Sequence, residues 1–466
     1  MKNPSRPSTW LIGSGIFLIL VLLIPGACKP GSENRDHLAD LRITVTDPDG
    51  KRVAGATVEF YLSPEEREQG NNIVMSGETN PDGLLSVYAQ EKGHYFLNIY
   101  QGNLRKEAEI QLRSKWLKDV SFSIQLENGN AGTKVVKVAV VYENPIIPST
   151  GKRFHQYFLT PGYHFLWNDP VELCRRYEAA LEKASDYTID FQIVSEHHAD
   201  RFFTFLKNDP QKRLFSLEEI ISLLQEKDWK TFKTVGTSYD YRSMVRHYQF
   251  DLALNRGEID EVWVWSFPYS GMYESHMMGE NAFWINSPPD DTFPSDKLLS
   301  VMGLNYERDL ACALESFSHR FESTMMQVYG WWNYEQKPEL SDLTTWELFS
   351  AYGLRYERYE KGAAQVGNVH YPPNGQYDYD FGNETYIESY VDEWLNYPYL
   401  QGKKKRKINR TEWGNPDGSW QLGWMTYYLG HLPHYRGINP RDGKFNDWWY
   451  YVVDYQGAML AESAAR

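Results

Sequence analysis

Glu315, His319 and Glu322 carry the sharpest chemical signal in the chain. They fall at i, i+4 and i+7 in LNYERDLACALESFSHRFESTMMQ, residues 304–327, whose spacing predicts a helix. At 100° per residue, Leu310, Leu314, Phe317, Phe321 and Val328 make one apolar stripe. The three ionisable groups share a neighbouring face, with Arg308 and Met326 beside them. Two carboxylates and an imidazole on one rigid face can hold a divalent metal ion, zinc foremost, or act as an acid–base set. The same spacing also makes ordinary helix-surface pairs worth about 0.2–0.5 kcal/mol each. Arg308 and Arg320 would then join a solvated ion-pair network, and a buried polar network is a third reading.

The elements before this helix alternate between strand and helix. Val135 to Tyr142 (VVKVAVVY), Tyr187 to Val194 and Glu261 to Phe267 (EVWVWSF) are short apolar runs of the kind buried strands have. Between them, Asp169-Pro170 opens a helix through Ala184, and Ser216 with Glu219 forms a capping box ahead of LEEIISLLQEK. Arg242 to Arg256 also has helical spacing. This rhythm predicts a parallel or mixed sheet covered by helices. In such sheets ligands bind beyond the carboxyl ends of the strands. The residues there are Glu143 and Asn144, then Glu196, His197, His198 and Asp200, then Tyr269, Tyr273, Glu274 and His276. If these tips converge under the Glu/His/Glu face, Glu274 or His276 is placed to act as general base or transition-state stabiliser. A polar strand end is also simply how a loop begins.

Beyond Gly330 the chain becomes strongly aromatic, from Trp331 and Trp332 through Tyr399. GNVHYPPNGQYDYDFGN reads as a loop of the kind that lines clefts, with His370 near Asn374, Asp378 and Asp380. His431 and His434 flank Pro433, and FNDWWYYVVD closes the chain as a strand-like piece. Each lone histidine is equally a structural residue. No phosphate loop, GxSxG elbow, CxxC or HExxH motif is present, which disfavours nucleotide cofactors, serine-hydrolase chemistry and that class of zinc peptidase. His319-Arg320-Phe321-Glu322 has the HxxE spacing seen in zinc carboxypeptidases, where the pair follows a strand. The NYER and ESFSHRFES segments also resemble uncharacterised secreted bacterial domains of no assigned function.

The beginning of the chain indicates an address. Lys2 and Arg6 precede Trp10 to Ile24, a 15-residue apolar run too short for an ordinary membrane span and suited to a signal-peptide core. Ile24-Pro25-Gly26-Ala27-Cys28 resembles the lipobox of bacterial lipoproteins. That resemblance implies lipid attachment at Cys28 and a place at the cell envelope, held to the membrane through the lipid. A plain secretory signal or an uncleaved anchor gives the same hydropathy. Residues 29–37 (KPGSENRDH) suit a tether.

Residues 38–126 then carry about seven alternating segments punctuated by Asp47-Pro48-Asp49-Gly50 and Asn80-Pro81-Asp82-Gly83, which predicts a β-sandwich. VTDPDGKRVAGATVEFY with TNPDGLLSVYA and GHYFLNIY resembles the carboxypeptidase regulatory-like domains, which are transthyretin-like sandwiches. That likeness implies a spacer or interaction module and assigns no catalysis. Residues 127–134 (ENGNAGTK) read as a linker, and 135–466 as a larger α/β (α+β) domain with an aromatic-rich C-terminal part.

A net charge of −14 and a pI near 5.4 argue against nucleic acid as the partner. The one basic run, GKKKRKINR at 402–410, reads as a solvated loop. Cys174 and Cys312 read as buried thiols rather than a bridge. Two functions fit. One is a metal-dependent or carboxylate-based hydrolase of an extracellular peptide or glycan. The other is a non-catalytic glycan- or protein-binding surface lipoprotein, its aromatics serving as stacking platforms.

Overall fold

The computed structural model describes residues 38–91, 93–112, 119–159, 167–225, 236–332, 340–351 and 363–465. Cys28, the signal and the tether lie outside them. Among the described residues, no helix is long and apolar enough to cross a membrane.

The chain folds as a mixed α/β structure with several sheets. Two sheets, one mixed and one antiparallel, enclose one apolar cluster near its beginning. Leu84–Glu91, Leu38–Thr46 and Asp119–Gln125 form the first; Met75–Glu78, Thr57–Tyr61, His94–Gln101, Leu104–Gln111 and Glu127–Asn128 form the second. The Asn80 side chain closes its turn by accepting from Asp82 N (2.9 Å) and Leu84 N (3.0 Å). The predicted linker is not free. Glu127–Asn128 pairs with Leu104 and Arg105, and Ala131 N donates to His434 O at 3.0 Å. The reason is backbone satisfaction, since these groups find sheet partners rather than water. The sandwich docks on the aromatic C-terminal part: Tyr100 stacks on Tyr399 at 4.7 Å, and the Arg105 guanidinium lies 3.9 Å over the Tyr435 ring.

The second region centres on a sheet of β1 (Lys134–Tyr142), β2 (Ile189–His198), β3 (Glu261–Ser266), β4 (Ser275–Met278) and β5 (Leu299–Asn305), in the order β2-β1-β3-β5-β4. All neighbours run parallel except β4, which is antiparallel on the edge. The predicted tips of the first three strands therefore do lie on one side of the sheet. The chain passes from β2 across β1 to β3, so the order reverses between β1 and β3, and this is where such sheets open a crevice.

Alternation along the strands separates two cores. Val138, Val140, Tyr142, Trp263, Trp265, Met302 and Leu304 face one cluster; Ala139, Val141, Val262, Val264, Leu299 and Val301 face the other. The first cluster receives α1 (Pro170–Ala184), α2 (Leu310–Tyr329), α3 (Trp420–Gly430) and α4 (Trp448–Val453).

Local signals set these boundaries. Asp169 Oδ1 accepts from Val171 N at 2.9 Å with Pro170 in the first turn, as predicted. The Ser216/Glu219 capping box is present. α2 is shorter at its start than the spacing indicates: residues 299–305 are strand, and Asp309 caps the helix at Cys312 N (3.3 Å). The segment 242–256 breaks into two helices at Gln249, whose φ is +58°. The closing FNDWWYYVVD is mostly helix rather than strand, because Asp447 caps it at Tyr450 N (3.3 Å).

Arg320, expected in a solvated network, is 1% exposed. Its Nη1 lies 2.8 Å from Glu261 Oε2 and its Nη2 donates to Val452 O at 2.7 Å, so it ties α2 to β3 and α4. The basic run is matched by acids. Arg406 meets Asp392 and Glu412, and Lys404 meets Glu78. Cys174 is buried, Cys312 half-buried, and neither is bridged.

Candidate metal centre

Helix α2 presents Glu315 and His319 over the carboxyl ends of β3 and β5, as its apolar stripe dictates. Leu314, Phe317 and Phe321 are at most 1% exposed against the sheet side, which turns the ionisable face to the loops beyond it. The third partner comes from 51 residues further on. His370 Nε2 lies 3.1 Å from His319 Nε2 and 3.3 Å from Glu315 Oε1, while His319 Nε2 lies 3.8 Å from Glu315 Oε1. Glu315, His319 and His370 form a group that could hold a metal ion, with ligand atoms all within 4.8 Å of one another.

Glu322 takes a different place from the one its spacing indicates. Its Oε2 lies 3.7 Å from His319 Nδ1, on the ring's far side, and its Oε1 accepts from Val369 N at 2.9 Å. Position i+3 reaches one ring nitrogen and position i−4 the other, so a single histidine separates the two carboxylates. Glu322 therefore backs His319 and also pins the loop that delivers His370. Asp378 stands similarly behind His370, its Oδ1 4.0 Å from Nδ1. Each outer ring nitrogen thus has a carboxylate near it, at 3.7 and 4.0 Å, short of a hydrogen bond but on the side from which carboxylates orient metal-ligating histidines. At 3.1 Å the two Nε2 atoms are close enough for one ring to donate to the other, or for two lone pairs to share one positive ion beside Glu315.

The rest of the shell is held firmly. Tyr371 N donates to Asn368 Oδ1 (3.0 Å), and Trp424 Nε1 donates to Asn368 O and Val369 O (both 3.1 Å), fixing the His370 loop against α3. Gly367 has φ +126°, and a Cβ there would meet Tyr371 O at 2.5 Å, so this turn requires glycine. The Tyr379 ring packs on His370 at 4.4 Å, and Gln421 from α3 donates to Glu315.

The electrostatics favour positive charge. Burial alone would raise the Glu315 carboxyl, yet contacts with His319 and His370 outweigh it and hold it at about 2. Burial alone would lower His319, yet Glu315 and Glu322 outweigh it and lift the ring to about 10. Either a proton or a metal ion meets that demand.

Glu274 and Glu315 line one cleft of about 550 Å³, with Tyr269, Asn305, Arg308, Cys312, Tyr379 and Gln421. Burial raises the Glu274 carboxyl; His319 and His370 oppose the shift, and Asn286 donates to it. His276 is not brought to this cluster. It pairs with Val301, whose side chain belongs to the opposite core. Its ring stacks on Tyr241 at 4.3 Å, and its Nδ1 is 3.0 Å from Ser287 Oγ. Burial there lowers it to about 4.

The other strand tips have polar or aromatic partners of their own. Glu143, fully buried at the crevice between β1 and β3, accepts from Tyr239 Oη (2.7 Å), Phe203 N (3.2 Å) and Ser266 Oγ (2.5 Å). Glu196 accepts from Tyr142 Oη at 2.9 Å, and His197 packs against Tyr248 and Phe250.

No known protein family matches the chain, and no curated protein does either. Solved structures match only in part. The TIE protein of Bacillus anthracis is 18% identical, over 22% of this chain and 19% of its own, with a TM-score of 0.17. The major pilin subunit of Bacillus cereus is 11% identical over 19% and 30%, with a TM-score of 0.16. A catechol 1,2-dioxygenase from Acinetobacter is 15% identical over 21% and 55%, with a TM-score of 0.16. The chain thus spans about a fifth to about half the length of these proteins. At such scores they assign it neither a fold nor an activity.

Proposed function

We propose that the chain is a cell-envelope hydrolase, lipid-anchored at Cys28, that acts on an extracellular polymer with a divalent metal held by Glu315, His319 and His370. The observation that carries this reading is the convergence of those three side chains within electrostatic reach of Glu274, with Glu274 and Glu315 lining one cleft. The donor set of two imidazoles and one carboxylate suits zinc. A metal bound there would polarise a scissile carbonyl and acidify water.

Glu274 accepts the proton of the attacking water and returns it to the leaving group as the acyl bond breaks. Glu322 and Asp378 orient the two rings, and Gln421 orients Glu315. A single metal with one base acts on a carbonyl, whereas a carboxylate glycosidase needs two acids flanking an acetal. Peptide is therefore favoured over glycan.

The binding-protein reading draws on Tyr377 and Tyr386, exposed at 64% and 60%, which could stack on a ligand. Metal analysis separates the two. The protein should carry about one zinc per chain, and His319→Ala and His370→Ala should each reduce it to background. Metal-free wild-type protein that takes up no zinc on titration would refute the hydrolase.

A further inference from the structure

We infer that Arg308 is a specificity residue that holds the free carboxylate of a peptide chain end beside the proposed metal centre; this rests on the hydrolase reading above. Arg308 is the one cationic side chain among the residues that line the cleft. It makes no ion pair with any described residue, and its side-chain hydrogen-bonding neighbour is Cys312.

Its backbone is nonetheless fixed. Arg308 N donates to Asn305 O at 3.1 Å, and Asn168 Nδ2 donates to Arg308 O at 2.9 Å. An exposed guanidinium on a fixed backbone, in no ion pair with a described residue and lining the cleft, offers a fork for a planar carboxylate. The cleft otherwise holds Glu274 and Glu315, so a doubly charged phosphate would meet about twice the repulsion that a singly charged carboxylate meets.

Position sets the register. Arg308 immediately precedes the cap of α2, and a rise of 1.5 Å per residue puts Glu315 about 9 Å along the axis from Asp309. An extended peptide advances roughly 3.3–3.6 Å per residue. The anion therefore lies within about three residues of the scissile carbonyl, which makes the substrate a short peptide or the carboxyl end of a longer one.

The test uses two dipeptide hydroxamates, identical except that one ends in a free carboxylate and its twin in a carboxamide. Each is titrated into zinc-loaded full-length protein, Arg308→Gln and Arg308→Lys, with metal content measured in all three. The carboxylate form should bind wild type roughly 10- to 100-fold tighter, the range for a hydrogen bond to a charged group. Arg308→Gln should equalise the twins with its zinc retained, and Arg308→Lys should keep part of the preference. Equal affinities in wild type, a preference that survives Arg308→Gln, or no binding of either probe to metal-loaded protein each overturns the inference while leaving the metal centre standing. Failure to load zinc would instead sink the reading beneath it.

Discussion

Replacing Glu322 by Gln separates the two ways this carboxylate can serve a metal. If Glu322 were a direct ligand, as its place on the helix face indicates, its loss would remove binding as completely as loss of His370. The geometry gives it another task. Its charge lies 3.7 Å from His319 Nδ1, and Gln would keep the acceptor for Val369 N and lose only the charge. Two full unit charges at that distance interact by about 4.5 kcal/mol at an effective dielectric of 20. A metal-bound imidazole carries a fraction of a charge, so the expected loss is the 10- to 100-fold typical of such supporting carboxylates, or about 1.4–2.7 kcal/mol. Competition against a zinc-chelating dye reads it directly. Glu322→Gln should still saturate with zinc at the weaker affinity, while Glu315→Gln and His370→Ala should not saturate in the same range. Full loss in Glu322→Gln, or an unaltered affinity in His370→Ala, would refute the assignment of ligands.

Two further outcomes follow, one from the fold and one from the proposed anchor. Burial raises Glu143 from 4.5 to about 7, so the folded protein binds a proton there that the unfolded chain releases near 4.5. Stability from this group is complete below 4.5 and is lost as pH rises to 7, by about 3 kcal/mol at 1.36 kcal/mol per unit. Glu143→Gln should flatten the decline in thermal midpoint between pH 5 and 8, and an unchanged slope would show that Glu143 is not its source. Cys28→Ser should move the protein from the membrane fraction to the soluble fraction, and unchanged fractionation would point to another mode of attachment.

Local signals that depend on a few neighbouring residues were legible in the sequence. Asp169-Pro170, the Ser216/Glu219 box and the Asn80 turn act through hydrogen bonds that span two to four positions, and they stand where expected. The strip from Leu310 to Phe321 identified α2 and its ionisable face because helical periodicity is itself local. Leu299–Asn305 is a short apolar run directly ahead of the helix, and periodicity alone does not distinguish such a run as strand. FNDWWYYVVD reads as strand by content, and only the Asp447 cap made it helix.

The site shows the same division. The sequence determined that Glu315 and His319 share a face, since four residues make one helical turn. It also offered His370 in a cleft-like loop, with nothing to say what that histidine would meet. Tertiary structure decided the rest. It swung His370 across 51 positions onto His319, turned Glu322 to the back of that ring, and sent His276 through the sheet to the opposite core. Which nitrogen a carboxylate reaches, and which face of a sheet a strand residue takes, depend on register and on the loops between elements. Those are fixed only when the Trp- and Tyr-rich core closes and every buried backbone group has found its partner.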